Sequence, residues 1–175
     1  VARQFDAHDP VIATVARIEA GTAHNIIPDH ASLKGTLRTL SARHRGKLHA
    51  SLEQLATGIA AAHGARAEVT ITPGFPVTLC DQRAVDLGEA VSNDLFGESA
   101  FRRLDQPIMG AEDFSYVLEQ IPGAMFFLGV AHEGADWHEC PAIHSPRMTV
   151  DETALPNGAA LLAGCAIRFL EQGWT

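Results

Sequence analysis

Between Val11 and Ala20 the chain is β-branched and apolar, and it stops at Gly21, which predicts a strand. The polar stretch Gly21-Thr22-Ala23-His24-Asn25 then turns into Ile26-Ile27-Pro28-Asp29. From Ala31 to Leu40, Leu33, Gly35, Leu37 and Thr39 alternate with Ser32, Lys34, Thr36 and Arg38, the period-2 signature of a second strand. The period then changes. Leu48, Leu52, Leu55, Ile59 and Ala62 recur at spacings of three and four, predicting an amphipathic helix over 41–63 closed by Gly64. Ala67, Val69 and Ile71 alternate with Glu68, Thr70 and Thr72, predicting another half-buried strand. Strand–strand–helix–strand is a small α+β sandwich with a helix on one face. Val1 to Pro10 reads as the tail of a helix running into a turn. With that helix the unit is most of a split βαβ, ferredoxin-like module lacking its opening strand.

Pro73-Gly74-Phe75-Pro76 punctuates the chain, and the pattern differs beyond it. Asp81 caps an expected helix over 82–96, with Val85, Leu87, Ala90, Val91, Leu95 and Phe96 as its apolar positions and Gly97 as its stop. Gly88 inside that helix is a poor helix former. Met109 to Tyr116 reads as a tight glycine turn opening a helix through Gln120, halted by Pro122-Gly123. Ala124 to Val130 has no polar face, as expected of a strand covered on both sides in a parallel α/β sheet. A last helix starts near Asp151 to Pro156, with proline in its first turn, and runs to Gly173.

Composition narrows the class. With 46% apolar and 19% charged residues, the 175-residue chain has the make-up of an ordinary globular protein with material for a core. A net charge of −8 without a Lys/Arg cluster argues against nonspecific nucleic-acid binding. Three widely spaced cysteines, Cys80, Cys140 and Cys165, provide no disulfide framework and suit a reducing, cytoplasmic location. No uninterrupted apolar run approaches the length of a membrane span, so no membrane partner is expected.

Chemistry concentrates in 132–152, where three of nine histidines and one of three cysteines fall beside acids, glycine and proline. His132, His138, Cys140 and His144 have the ligand chemistry for zinc, but Pro141 prevents Cys140 and His144 from being helical neighbours. From spacing alone, a surface loop with hydrogen-bonded histidines is the stronger reading. Arg38, on a strand near the turn containing Asn25, could grip a carboxylate with two parallel hydrogen bonds, or could be a solvated strand arginine. Gly110, before Glu112-Asp113, could admit a ligand to backbone amides at a helix start, or could simply make a turn.

Five segments taken together shift the balance between these alternatives. Gly21-Thr22-Ala23-His24-Asn25-Ile26-Ile27-Pro28-Asp29, Gly35-Thr36-Leu37-Arg38, Gly110-Ala111-Glu112-Asp113-Phe114, Pro122-Gly123-Ala124-Met125-Phe126-Phe127-Leu128-Gly129 and His144-Ser145-Pro146 stand in one order and spacing. In that register the chain resembles the dinuclear-metal amidohydrolases and peptidases that include hippurate hydrolase, N-acyl-L-amino-acid amidohydrolase and the auxin-conjugate hydrolases. The resemblance implies an α/β protein of two domains. Residues 1–72 would be the later part of a ferredoxin-like α+β lid, or dimerisation, domain, and 75–175 the C-terminal segment of a zinc-peptidase-like α/β catalytic domain. By motif position it implies that His144 is the last metal ligand, Asn25 a lid residue touching the substrate, Arg38 the clamp on its free carboxylate, and Gly110 a turn holding the same end.

The resemblance further implies hydrolysis of the amide bond of an N-acyl amino acid by a site with two divalent metal ions, zinc, manganese or similar, in a homodimer formed through the lid. The family's upstream His-x-Cys or His-x-Asp pair, adjacent Glu-Glu, further His ligand and lid Gly-Gly-His have no counterpart here. Neither Glu19 nor Asp151-Glu152 stands in the context of the missing base, so no catalytic residue is assigned and the isolated chain is expected to be inactive. Two rival readings remain: a noncatalytic oligomerisation or binding module built on 1–72, and a small zinc domain using the 132–144 loop.

Overall fold

The computed structural model describes residues 4–6 and 8–174. The chain divides into two compact units, one of Val1–Thr78 with Pro107–Tyr116 and one of Leu79–Gln106 with Val117–Thr175. The first begins with an antiparallel hairpin, β1 (Val11–Ala20) and β2 (Ala31–Thr39). Its register pairs Val11 with Thr39 and Ala20 with Ala31, with an irregularity between Val15 and Arg17. Gly35 sits opposite Val15 at that irregularity. A Cβ there would overlap the Thr14 carbonyl oxygen, with Thr14 C at 3.0 Å and Val15 Cα at 3.1 Å. Only glycine permits so close a backbone approach.

Helix α1 (Ala42–Ala62) follows at once, started by the Ser41 hydroxyl, which accepts the His44 N–H at 3.0 Å. Its predicted apolar stripe is only partly used. Leu48 is 1% exposed and Leu52 half-buried, whereas Leu55 and Ile59 are exposed. The helix packs on β2, where Leu37 and Thr39 are half-buried and Thr36 and Arg38 are exposed. Arg38 therefore stands on the face of the hairpin away from α1. Residues 67–72 keep the expected alternation in burial, with Ala67, Val69 and Ile71 half-buried and Glu68, Thr70 and Thr72 exposed. No strand forms there, which corrects the sequence expectation: a strand needs a ladder, and among the described residues the sheet has two strands. The helix tail expected before Pro10 falls partly outside the described residues, and the described ones there make turns.

The second unit is built on α2 (Gln82–Phe96) and α4 (Leu155–Gln172), which pack together; a 3₁₀ turn, η1 (Glu152–Ala154), leads into α4. Asp81 caps α2 through the Arg83 N–H at 2.9 Å and ion-pairs with the Arg83 guanidinium at 2.8 Å. That pairing holds the Asp81 carboxyl down at about 2, the side-chain bond to Arg83 being the main cause. Gly88, the unfavourable residue in the sequence reading, is where the Phe126 ring rests on the helix; a Cβ would stand 2.7 Å from its Cε1. Gly164 of α4 makes room for Val91 in the same way, with Val91 Cγ1 at 2.7 Å from a built Cβ.

Two expectations change in this unit. The helix α3 (Phe114–Leu118) is short and stops before Gln120, to which the helix opened by the glycine turn was expected to run. Ala124 to Val130 forms no ladder, and Phe127 and Leu128 are exposed. The run is pinned at its two ends, by Asp81 N–H to Gly123 O at 2.8 Å and Asp151 N–H to Val130 O at 2.9 Å. Neighbouring strands that would cover it are not among the described residues. By length and composition Glu152–Gln172 is long and apolar enough to cross a membrane, with a window mean hydropathy of 1.3. Gly158, Asn157 and Arg168 interrupt its apolar residues, so no continuous run reveals it in the sequence.

Candidate active site

Two sets of the sequence-selected residues can be placed, one in each unit. In the first, Arg38 leaves the exposed face of β2 and donates from Nη1 to the Met109 carbonyl oxygen, 71 residues away. Gly110 is the next residue, so the structure brings Arg38 and Gly110 together. Gly110 lies in irregular, exposed chain four residues before α3 begins, so it opens no helix and borrows no helix dipole. A methyl at Gly110 would meet only Ile108 Cγ2, at 3.6 Å. The following turn is anchored by Ser115, whose fully buried hydroxyl and N–H both donate to the Glu112 carbonyl.

Arg38 differs from the arginines paired with acids and shares its state with Arg45, which donates to the Phe75 carbonyl at 2.6 Å. Arg17, Arg83, Arg103 and Arg168 each hold a carboxylate: Glu19, Asp81, the pair Asp86 and Glu89, and Asp94 respectively. Among the described residues Arg38 touches no carboxylate, only a neutral carbonyl. Its positive charge remains uncompensated and its other N–H donors remain available.

Asn25 is not brought to Arg38. It lies in the exposed loop joining β1 to β2, and Arg38 is near the other end of the hairpin, paired with Ile12. Seven residues of strand, at about 3.3 Å each, put roughly 23 Å between Arg38 and the start of β2.

In the second unit the 132–148 loop disperses its candidate ligands. His132 Nδ1 lies 4.0 Å from Asp151 Oδ2, His138 stacks on Trp137 with ring centres 3.7 Å apart, and Cys140 Sγ donates to the Asp136 carbonyl at 3.5 Å. Asp151 is held below the usual carboxyl range, chiefly by the Thr153 hydroxyl and N–H, with His132 adding a smaller contribution. His144 stands apart from these, between Ala142 and Ser145 in a turn closed by the Ser145 N–H to Ala142 O bond at 3.0 Å. It is the only non-glycine residue with positive φ, 70°, among the described residues. That left-handed conformation is disfavoured for a side chain with a Cβ and is found at sites that fix a side chain's direction.

No group of three or more His, Cys, Asp or Glu among the described residues could hold a metal ion. The candidate ligands of the 132–144 loop are not brought together, and His144 does not by itself meet a catalytic metal's need for several protein ligands.

Residues 6–168 match the sequence profile of Peptidase family M20/M25/M40. The chain belongs to that family. It is 36% identical over 174 residues to IAA-amino acid hydrolase ILR1-like 4 of Arabidopsis thaliana, covering 97% of this chain and 39% of the plant protein. It is 31% identical over 172 residues to N-acetylcysteine deacetylase of Bacillus subtilis, covering 98% of this chain and 42% of that protein. In structure it resembles the YXEP protein of Bacillus subtilis, described as a dinuclear metal binding peptidase of the M20 family. The TM-score is 0.73 at 30% identity, over 93% of this chain and 42% of the other. This M20 chain thus spans about 40% of the length of the relatives it matches.

The sequence reading missed the Met109 carbonyl. A main-chain acceptor has no residue signature, and nothing in the local pattern around Met109 points to a partner on β2.

Proposed function

We propose that this M20 chain supplies the carboxylate clamp and one metal ligand of a metal-dependent hydrolase that cleaves the amide bond of N-acyl amino acids. The observation that carries the reading is the state of Arg38: a charged guanidinium on an exposed strand face, bonded among the described residues only to the Met109 carbonyl and next to the unobstructed Gly110. A substrate carboxylate is the natural complement to such a group. Gly110 would lie beside the same end of the substrate. Asn25 would make a polar contact with the substrate from its loop.

His144 would be the last ligand of a pair of divalent metals, its direction fixed by the left-handed turn. Divalent ions there would supply an acidified water as nucleophile. The remaining ligands and the general base belong to the part of the relatives' length that this chain does not span, so the chain alone is inactive in this reading. Residues 1–72 would be the lid part, ferredoxin-like in the whole protein, and would carry a homodimer contact. The outer edges of β1 and β2, unpaired among the described residues, and the exposed Val15, Ile18 and Leu33 support that role. The three free cysteines suit a reducing compartment.

The hairpin edges and exposed apolar residues of 1–72 also support a second reading, a noncatalytic binding or oligomerisation module built on that part of the chain. N-benzoylglycine hydrolysis separates the two. A protein joining this chain to the remaining length of its relatives is expected to hydrolyse it and to lose activity on chelation. A pure, folded, metal-loaded preparation with no turnover of any N-acyl amino acid would leave only the binding module.

A further inference from the structure

Among the described residues four arginines are tied to acids, whereas Arg38, like Arg45, is tied to the main chain of a distant segment. That segment, Pro107–Tyr116, belongs to the same compact unit as β2, although the chain on either side of it, up to Gln106 and from Val117, belongs to the other unit. We infer that the Met109 carbonyl is a positioning group for Arg38, and that Arg38 in turn makes segment 107–116 responsive to the substrate carboxylate. The inference rests on the reading of Arg38 as the clamp.

The chemistry follows from the donors of a guanidinium. Nη1 is committed to the carbonyl, which fixes the plane and rotation of a long, otherwise mobile side chain. The edge formed by Nε and Nη2 is then the one left to receive a carboxylate as a fork of two parallel bonds. A carbonyl holds the arginine without cancelling its charge, as an aspartate or glutamate in its place would. Positioning and binding therefore use different donors of one group and can occur together. A carboxylate on the free edge immobilises the guanidinium from its second side, so less side-chain freedom is lost in keeping the bond to Met109 and that bond is made more of the time. The segment so held carries Gly110 and leads into the buried Ser115 anchor.

Arginine and lysine should behave differently here. A lysine ammonium is compact and cannot present one donor to a carbonyl and a planar pair to a carboxylate in fixed geometry. The side chain of Met109 should be dispensable, because its carbonyl is the acceptor.

The test measures backbone amide exchange across 107–116 in this chain, wild type and Arg38→Ala, Arg38→Lys and Met109→Ala, with α2 amides as the internal folding control. The probes are N-benzoylglycine and N-benzoylglycinamide. Exchange in 107–116 is expected to rise about 10-fold in Arg38→Ala while α2 is unchanged, and to stay near wild type in Met109→Ala. N-benzoylglycine should slow exchange there in wild type and Met109→Ala but not in Arg38→Lys, and the amide should have no effect. In the relative-length protein, Arg38→Lys is expected to raise KM for N-benzoylglycine about 10-fold or more, with a smaller change in kcat.

Exchange in 107–116 that is indifferent to Arg38, or to the acid probe in wild type, overturns the coupling. That failure is distinct from failure of the clamp itself, which would show as equal turnover of acid and amide substrates by the wild-type enzyme.

Discussion

Replacing Gly110 by alanine separates binding from folding. An added methyl would meet only Ile108 Cγ2 at 3.6 Å, an ordinary contact, and Gly110 is not among the glycines with positive φ. The folded state therefore takes the methyl without strain, and the unfolded chain loses freedom. Stability should be unchanged or raised by up to about 1 kcal/mol. On the functional side, the proposed role of Gly110 would place the same methyl at the carboxylate end of the substrate. A misfit of one methyl-sized group at a binding surface is worth about 1–3 kcal/mol, or roughly 10–200-fold in kcat/KM. Denaturant unfolding of this chain, and kcat/KM for N-benzoylglycine in the relative-length protein, measure the two halves. An unchanged kcat/KM would remove Gly110 from the substrate site. A loss of stability would show that the conformation assigned to Gly110 is wrong.

The contrasting glycine is Gly35, where a Cβ would overlap the Thr14 carbonyl oxygen and crowd Val15 Cα at 3.1 Å. Gly35→Ala should destabilise the first unit by about 3 kcal/mol, since backbone rather than a flexible side chain must move; a denaturation midpoint within error of wild type would contradict this. Gly58→Ala in α1, with nothing within 4 Å of its Cβ, should stabilise by about 0.5–1 kcal/mol, read in the same titration. Asp81, lowered from 3.8 to about 2 by Arg83, contributes stability that is complete above its unfolded value and disappears as pH falls through about 2. Asp81→Asn keeps the cap but removes the ion pair, so the acid-side dependence of α2 amide exchange between about pH 4 and pH 2 should flatten. The same dependence in both proteins would rule the pairing out.

Much of the local structure was legible because its determinants are local. Ser41 and Asp81 each lie where a cap is needed, Gly64 and Gly97 lie where a helix stops, and the hairpin alternation fixes which face bears Arg38. Gly88 looked like a flaw in α2 until Phe126 supplied the reason, a ring 38 residues away in sequence. The two strands that did not form, at 67–72 and 124–130, failed for one physical reason. Period and apolar content report which residues avoid water, but a strand exists only with a hydrogen-bonded neighbour. This chain covers about 40% of its relatives' length, and neighbours for those two segments are not among its described residues.

Site chemistry divides in the same way. The motif positions of Asn25, Arg38, Gly110 and His144 were readable from residue identity and order. The Arg38 bond to Met109 was not, because any residue offers the same carbonyl. Nor was the roughly 23 Å of strand separating Arg38 from the loop of Asn25, which the hairpin register fixes and the thirteen-residue spacing alone does not. The loop of His132, His138, Cys140 and His144 had the composition of a zinc site but not the convergence of one. Three of the four side chains are engaged with Asp151, Trp137 and Asp136 instead.

The decisive measurement is the ratio of kcat/KM for N-benzoylglycine to that for N-benzoylglycinamide, in the relative-length protein and its Arg38→Ala variant. The account predicts a strong preference for the free acid in wild type and its collapse in the variant, through a loss of roughly 2–4 kcal/mol confined to the acid. Equal turnover of acid and amide by wild type, or a preference that survives Arg38→Ala, would contradict it.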